Sequence, residues 1–379
     1  MVTLKFLLDQ LVAPVPGGIG RYAENLAREV ISRAPAGTEV EGIITPPKGE
    51  GAPTIEEIDE RLPGLAHLEV TKLSRAALAQ AWSRGLLTGA IGGGLIHSPS
   101  LFAPLHPLGS DEAVQTVVTV HDTVPWTHPE TLTPNGVRWH KRQLKRAWQY
   151  AAAIVTPTHA VAEQVAELYN FGDRLRVIPG APSRGVHLPE NPDEVAERLG
   201  LPETYILAVG TLEPRKGLGK LVEALAKIPD AQLVHAGPDG WGDVNWDSLC
   251  ADAGVERSRV KALGFVSNTD LAVAYDRATV FCLPSIDEGF GLPILEAFRA
   301  GTAVVHTDVP ALMEVAGGAG IHVPLKDEST FVERLSVALK NVLGDDELRE
   351  TLVTAGRDRY PIYSWSYSAD LVWRLHADL

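Results

Sequence analysis

Two carboxylates stand eight positions apart in Ser285-Ile286-Asp287-Glu288-Gly289-Phe290-Gly291-Leu292-Pro293-Ile294-Leu295-Glu296, with a glycine-rich stretch between them. Acids at two depths accept hydrogen bonds from hydroxyl groups, a service that a plain phosphate site does not need. Gly289 and Gly291 permit close backbone approach and unusual dihedrals, and a helix beginning near Leu292 adds partial positive charge suited to phosphate. Hydroxyl acceptors beside a phosphate cradle imply a pocket for a nucleotide sugar. The bare spacing is equally compatible with a helix N-terminal charge plus an exposed glutamate, so the surroundings decide.

Arg215 and Lys216 are adjacent in Gly210-Thr211-Leu212-Glu213-Pro214-Arg215-Lys216-Gly217. Two fixed cations can neutralise a diphosphate and stabilise it as a leaving group. Basic pairs also occur on ordinary surface loops; the glycines at both ends favour the cradle. Gly17-Gly18-Ile19-Gly20 follows the first strand and opens a helix. Glycines there often serve packing alone. Glu39 and Glu41 lie about 20 residues on, as a dinucleotide site would require. The spacing is not G-x-G-x-x-G, however, and a dehydrogenase would leave the paired glutamates and the Arg-Lys pair unused. His121 ends the apolar run 116–120 and could hydrogen-bond a sugar hydroxyl or the reacting centre, or be a structural histidine beside Asp122. In Pro157-Thr158-His159-Ala160, Thr158 reads as a helix N-cap and His159 is assigned no chemistry.

These loops must be held by elements. Short apolar strands alternate with amphipathic helical stretches throughout, the pattern of parallel α/β sheets. Strands are expected near 3–8, 39–45, 95–97, 116–121, 154–157 and 176–178, then near 205–209, 232–236, 260–263, 280–283, 303–306 and 321–323. The stretch Pro179-Gly180-Ala181-Pro182-Ser183-Arg184-Gly185 has the composition of a linker. The expected organisation is two doubly wound, Rossmann-like parallel-sheet domains, 1–182 and 183–364, facing a central cleft, with an aromatic-bearing helix at 365–379. Ligand loops at strand C-terminal ends would line that cleft.

The chain has 379 residues, 45% hydrophobic, enough for two ordinary cores. A formal charge of −14 argues against nucleic acid as the main partner. Cys250 and Cys282 are too few and too far apart for a disulfide framework or a cysteine zinc site. No stretch of 18 apolar residues and no leader-like segment is present, so a cytoplasmic protein is expected, at most peripheral to a membrane. The basic helix 138–148 sets Lys141, Arg142, Lys145 and Arg146 on one side. It suits a solvated face or an anionic membrane. No D-x-D triplet occurs to hold a catalytic divalent metal.

Taken together, Ser285 to Glu296 and Gly210 to Gly217 resemble family 4 of the retaining glycosyltransferases, which have the GT-B fold, and the resemblance runs over nearly the whole chain. It implies that Glu288 contacts a donor sugar and Glu296 a ribose, and that Gly289, Phe290, Gly291 and Leu292 offer backbone groups to sugar and diphosphate. Family members usually carry an arginine where Thr211 stands. Lys216-Gly217 matches the second family position, and Arg215 supplies the missing cation as in the mannosyltransferase-like subgroup with a T-L-E-P-R-K loop. The resemblance further implies Gly18 and Gly20 near the donor phosphates and the acceptor, His121 near the reacting sugar, and a C-terminal helix crossing back to the first domain; contacts that select the base are expected around Gly264-Phe265-Val266.

The implied reaction moves a hexosyl group from a nucleoside diphosphate sugar, GDP-mannose being favoured by the subgroup, to an acceptor hydroxyl with retention. It needs no cofactor and no metal. A glycan or lipid-linked acceptor in cell-envelope synthesis would be the partner. The competing readings are a silent sugar- or nucleotide-binding protein on the same fold, a GT-B epimerase or phosphorylase, and, less well supported, a NAD-dependent oxidoreductase.

Overall fold

The computed structural model describes residues 2–13, 17–49, 51–84, 94–107, 114–240 and 244–379. The chain divides into two compact units, Met1–Gly180 with Tyr363–Leu379, and Ala181–Ile362. Each unit is an α/β layer structure around one parallel sheet.

The first unit contains β1 (Val2–Leu7), β2 (Thr38–Ile44), β3 (His67–Val70), β4 (Gly94–Ser98), β5 (Val114–Thr119), β6 (Ala153–Thr156) and β7 (Leu175–Val177), in the order β3-β2-β1-β4-β5-β6-β7. Every neighbouring pair is parallel. The order reverses between β1 and β4, the place where ligands gather in such sheets. The helix Gly18–Ser32 follows β1 and starts at the glycine cluster, with Gly17 as its N-cap. β3 was not among the expected strands. It is a four-residue edge strand, His-Leu-Glu-Val, without the apolar run that marks the central strands.

The second unit contains β8 (Ile206–Val209), β9 (Leu233–Ala236), β10 (Val260–Gly264), β11 (Val280–Leu283), β12 (Ala303–Thr307) and β13 (Ile321–Val323), ordered β10-β9-β8-β11-β12-β13 and all parallel. β9, β11 and β12 are buried along their whole length. Helices on both faces of a parallel sheet demand this, and the continuous apolar runs supply it. The reversal here lies between β8 and β11, so the loops after these two strands emerge side by side.

The helix Trp365–Asp378 belongs to the first unit and packs along Gly18–Ser32. Arg33 forks onto Asp370 at 2.7 and 2.8 Å, and the Trp373 indole N–H donates to Val30 O at 3.0 Å. Beneath them His97 on β4 meets His376, Nδ1 to Nε2, at 3.2 Å with both rings buried. In the basic helix Pro134–Tyr150, Lys141, Arg142 and Lys145 are exposed as expected, but Arg146 turns inward. It donates to the carbonyls of Leu105 and Trp82, so that face carries one cation fewer than its spacing suggested. No helix among the described residues is long and apolar enough to cross a membrane.

Burial holds His97, His235, His306 and His376 neutral. His376, His235 and His306 are each pushed down to about 4, first by desolvation, and His97 falls well below its ordinary value for the same reason. The unfolded chain binds these protons near pH 6.5, whereas the folded chain resists until about pH 4, so stability is complete above 6.5 and declines between those limits. A shift of that size corresponds to about 3 kcal/mol per histidine. Urea melts at pH 7.0 and 4.5 should therefore differ by several kcal/mol. A flat profile over that window would contradict the neutral assignment.

Candidate active site

The loops after β8 and β11 build one cluster. The first leaves β8 at Gly210, passes through the short 3-10 turn Pro214–Lys216, and enters the helix Leu218–Ala226 at Gly217. Gly217 has φ of 67°, and a Cβ there would lie 2.0 Å from Pro284 O. Only glycine lets this turn press against the second loop. The contact is sealed by Ile286 N donating to Arg215 O at 2.9 Å. The second loop runs from Pro284 to Gly291, whose φ of 90° caps the helix Leu292–Ala300. A Cβ on Gly291 would meet Leu312 Cδ2 at 2.5 Å.

This junction brings Arg215, Lys216 and Glu288 together. Lys216 Nζ donates to Glu288 Oε1 at 2.5 Å, and Arg215 Nη1 to Oε2 at 3.2 Å. The Ser285 hydroxyl is the third donor to the carboxylate, reaching Oε1 at 2.8 Å. Arg215 also binds Asp287 O at 2.8 Å and Glu213 Oε1 at 2.6 Å. Burial alone would raise the Glu288 pKa. The charges of Lys216 and Arg215 and the hydrogen bonds from Lys216 and Ser285 outweigh it, holding the carboxyl down at about 2 against an ordinary 4.5. Glu288 thus stays ionised and contributes stability above pH 4.5 that is lost as pH falls toward 2.

The sequence suggests two open cations; the structure pairs both. With Glu213 and Glu288 included, the cluster is formally neutral. Arg215 spends its donors holding the 287–288 segment, whereas Lys216 uses one of its three N–H groups on Glu288. Gly289 and Phe290 also have partners within the protein, so the turn is less open than glycine content implies. Glu213 and Ser285 went unremarked in the sequence. Their flanking positions, two residues before Arg215 and three before Glu288, are the only signal that could have found them.

Glu296 lies on the helix Leu292–Ala300, buried, and accepts from the Tyr275 hydroxyl at 3.2 Å. Leu292 is the first residue of that helix and Phe290 packs inward. Thr211 sits in the loop after β8, its carbonyl accepting from Glu213 N at 2.8 Å. Phe265 follows β10 and is 60% exposed. In the first unit, Gly18 is exposed and Gly20 buried in the first turn of Gly18–Ser32. His121 lies at the end of β5, edge-on to Tyr22 at 4.8 Å. Its Nε2 bonds Pro99 O at 2.7 Å. A carbonyl can only accept, so Nε2 carries the proton and Nδ1 is the ring's acceptor. Burial lowers the His121 pKa, only partly offset by that bond, which keeps the ring neutral.

Residues 16–181 match Glycosyltransferase Family 4 and residues 192–359 match Glycosyl transferases group 1. The chain is 32% identical to the O-antigen chain mannosyltransferase B of Escherichia coli over 282 residues, 72% of this chain and 71% of that one. It is 37% identical to the phosphatidyl-myo-inositol mannosyltransferase of Mycobacterium tuberculosis over 171 residues, 43% of this chain and 44% of that one. Among solved structures, Anabaena HepE in complex with UDP and glucose superposes with a TM-score of 0.75 at 18% identity, covering 100% of both chains. That likeness establishes fold alone; the sequence matches carry the rest, and by them the chain belongs to the family-4 glycosyltransferases, enzymes of the GT-B fold.

Proposed function

We propose that this glycosyltransferase moves a mannosyl group from GDP-mannose to an acceptor hydroxyl with retention, without a metal ion, in the synthesis of a cell-envelope glycan. The observation that carries the reading is the Lys216–Glu288–Arg215 cluster at the reversal point of a doubly wound sheet. Mannosyl as the transferred group is supported by the two mannosyltransferase relatives, and a nucleoside diphosphate sugar by the UDP and glucose of HepE.

On this reading Lys216 turns its two remaining N–H groups to the diphosphate, and its charge stabilises that group as it leaves. Arg215 acts beside it, fixing the 287–288 backbone and adding a second positive charge. Glu288 accepts from a sugar hydroxyl and Glu296 from the ribose. The neutral ring of His121 takes a hydrogen bond from the reacting sugar on Nδ1. Gly18, Gly20, Thr211 and Gly289 to Leu292 border the donor phosphates, and Phe265 borders the base. The departing diphosphate receives the acceptor's proton on the face it leaves, so no protein nucleophile is needed. The enzyme works in the cytoplasm at the inner face of the membrane, where Lys141 and Lys145 meet anionic lipid.

A thermal-shift panel of GDP, UDP, ADP, dTDP and NAD on wild type and Glu296→Ala tests the donor assignment. GDP should raise the melting temperature most, and the rise should shrink in the variant. A response to UDP alone would replace the donor, and a response to NAD alone would remove the transferase pocket.

A further inference from the structure

A groove of about 1160 Å3 opens in the first unit between the start of Gly18–Ser32, the helix Arg75–Ser83, the residues after β4 and β5, and the helix Pro134–Tyr150. Among the described residues its charged lining is three arginines, Arg75, Arg84 and Arg142, against one acid, Asp122, with Asp9 paired to Arg75 behind it, in a chain whose net charge is −14. Such a reversal of sign in one concavity attracts an anion.

Arg75 is built rather than adrift. Its Nη1 bonds Oδ2 of Asp9 at 2.6 Å, and its guanidinium lies 4.8 Å over the Phe102 ring. Asp9 is itself 4% exposed and is fixed by the Thr45 backbone N–H at 3.2 Å and by the Thr45 hydroxyl. One corner and one face of the guanidinium are therefore held. Its Nε and Nη2 make no bond among the described residues, and the side chain is 44% exposed. That free edge presents two parallel N–H groups, the fork that matches a pair of oxyanion oxygens. Arg142 is exposed without an ion partner among the described residues and lines the same groove as the half-buried rings of Trp126 and Trp139.

We propose that this groove binds an acidic saccharide, its sugar rings against Trp126 and Trp139 and its carboxylate or phosphate on the free edge of Arg75. On the transferase reading that saccharide is the acceptor, and to that extent the inference rests on it. A neutral glycan would leave the arginine fork without its matching acceptor.

The test is a calorimetric titration of the full chain, without any nucleotide sugar, at 0.15 M salt. The probes are mannobiose, a glucuronate-terminated disaccharide and mannose 6-phosphate. One acidic probe should bind roughly 10-fold or more tightly than mannobiose, as a charge-assisted bond allows. Which acidic probe wins identifies carboxylate or phosphate. Arg75→Lys keeps a cation facing Asp9 but removes the fork and the stacking, and should abolish the preference; Arg142→Ala, at an exposed position, should weaken it. Equal affinity for all three probes, no binding of any, or a preference unchanged in both variants would overturn the proposal. The GDP shift recorded on the same variants separates the two readings. A normal GDP response with no acidic-sugar preference removes this groove alone, and the preference without a nucleotide response removes only the donor site.

Discussion

Lys216→Ala should lower kcat/KM for glycosyl transfer by roughly 10²- to 10³-fold, the usual effect of removing one positioned donor from a developing anion. The same change strips the closest cation from Glu288, 2.5 Å away and 9% exposed. Breaking a buried pair from one side costs about 3 kcal/mol or more, because the abandoned charge stays buried. The variant should therefore melt earlier, and its acid limb should move upward as the Glu288 carboxyl relaxes from about 2 toward 4.5. Lys216→Ala with Glu288→Gln relieves that burden and should recover stability without recovering turnover. Steady-state kinetics beside thermal melts check both parts. Turnover within threefold of wild type would remove Lys216 from the leaving-group role.

Gly217→Ala should be strongly destabilising to the second unit. Two penalties coincide there: φ of 67°, which disfavours any side chain, and a Cβ placed 2.0 Å from Pro284 O, a backbone atom that cannot rotate away. We expect a loss of about 3 kcal/mol or more. In a unit of this size that is roughly 10 °C in melting temperature. Gly254→Ala is the matched control, since φ is 65° there but nothing lies within 4 Å of the added methyl. It should lose only about 1 kcal/mol. Equal losses at the two sites would show that backbone conformation alone matters and that the loops are not pressed together as described.

The parts of the fold legible in sequence are those with strong local physics. Val280–Leu283 is a short apolar run buried on both faces, and the glycine at 291 marks the turn into the next helix. Thr158 caps its helix by accepting from Val161 N, as its residue type suggests. The pairing of Arg215 and Lys216 was not legible. Glu288 lies 72 residues beyond Lys216, and they meet only because β8 and β11 are neighbours across a crossover. Local sequence shows two cations and a distant acid; it does not show that the sheet neutralises them. Arg146 failed for a similar reason. Its helical position was readable, but the carbonyls of Trp82 and Leu105 that draw it inward belong to segments far away in the chain.

The return of Tyr363–Leu379 to the first unit imposes an order on biosynthesis. Residues 181–362 leave the ribosome before the segment that closes the earlier unit, so the second unit can reach its native state while the first still lacks a helix. Until then the surfaces that Ala369, Val372 and Leu375 will cover, and the imidazole of His97, stand open to water. The nascent first half thus exposes apolar surface that invites chaperone binding, and it becomes complete only once Tyr363–Leu379 has been made.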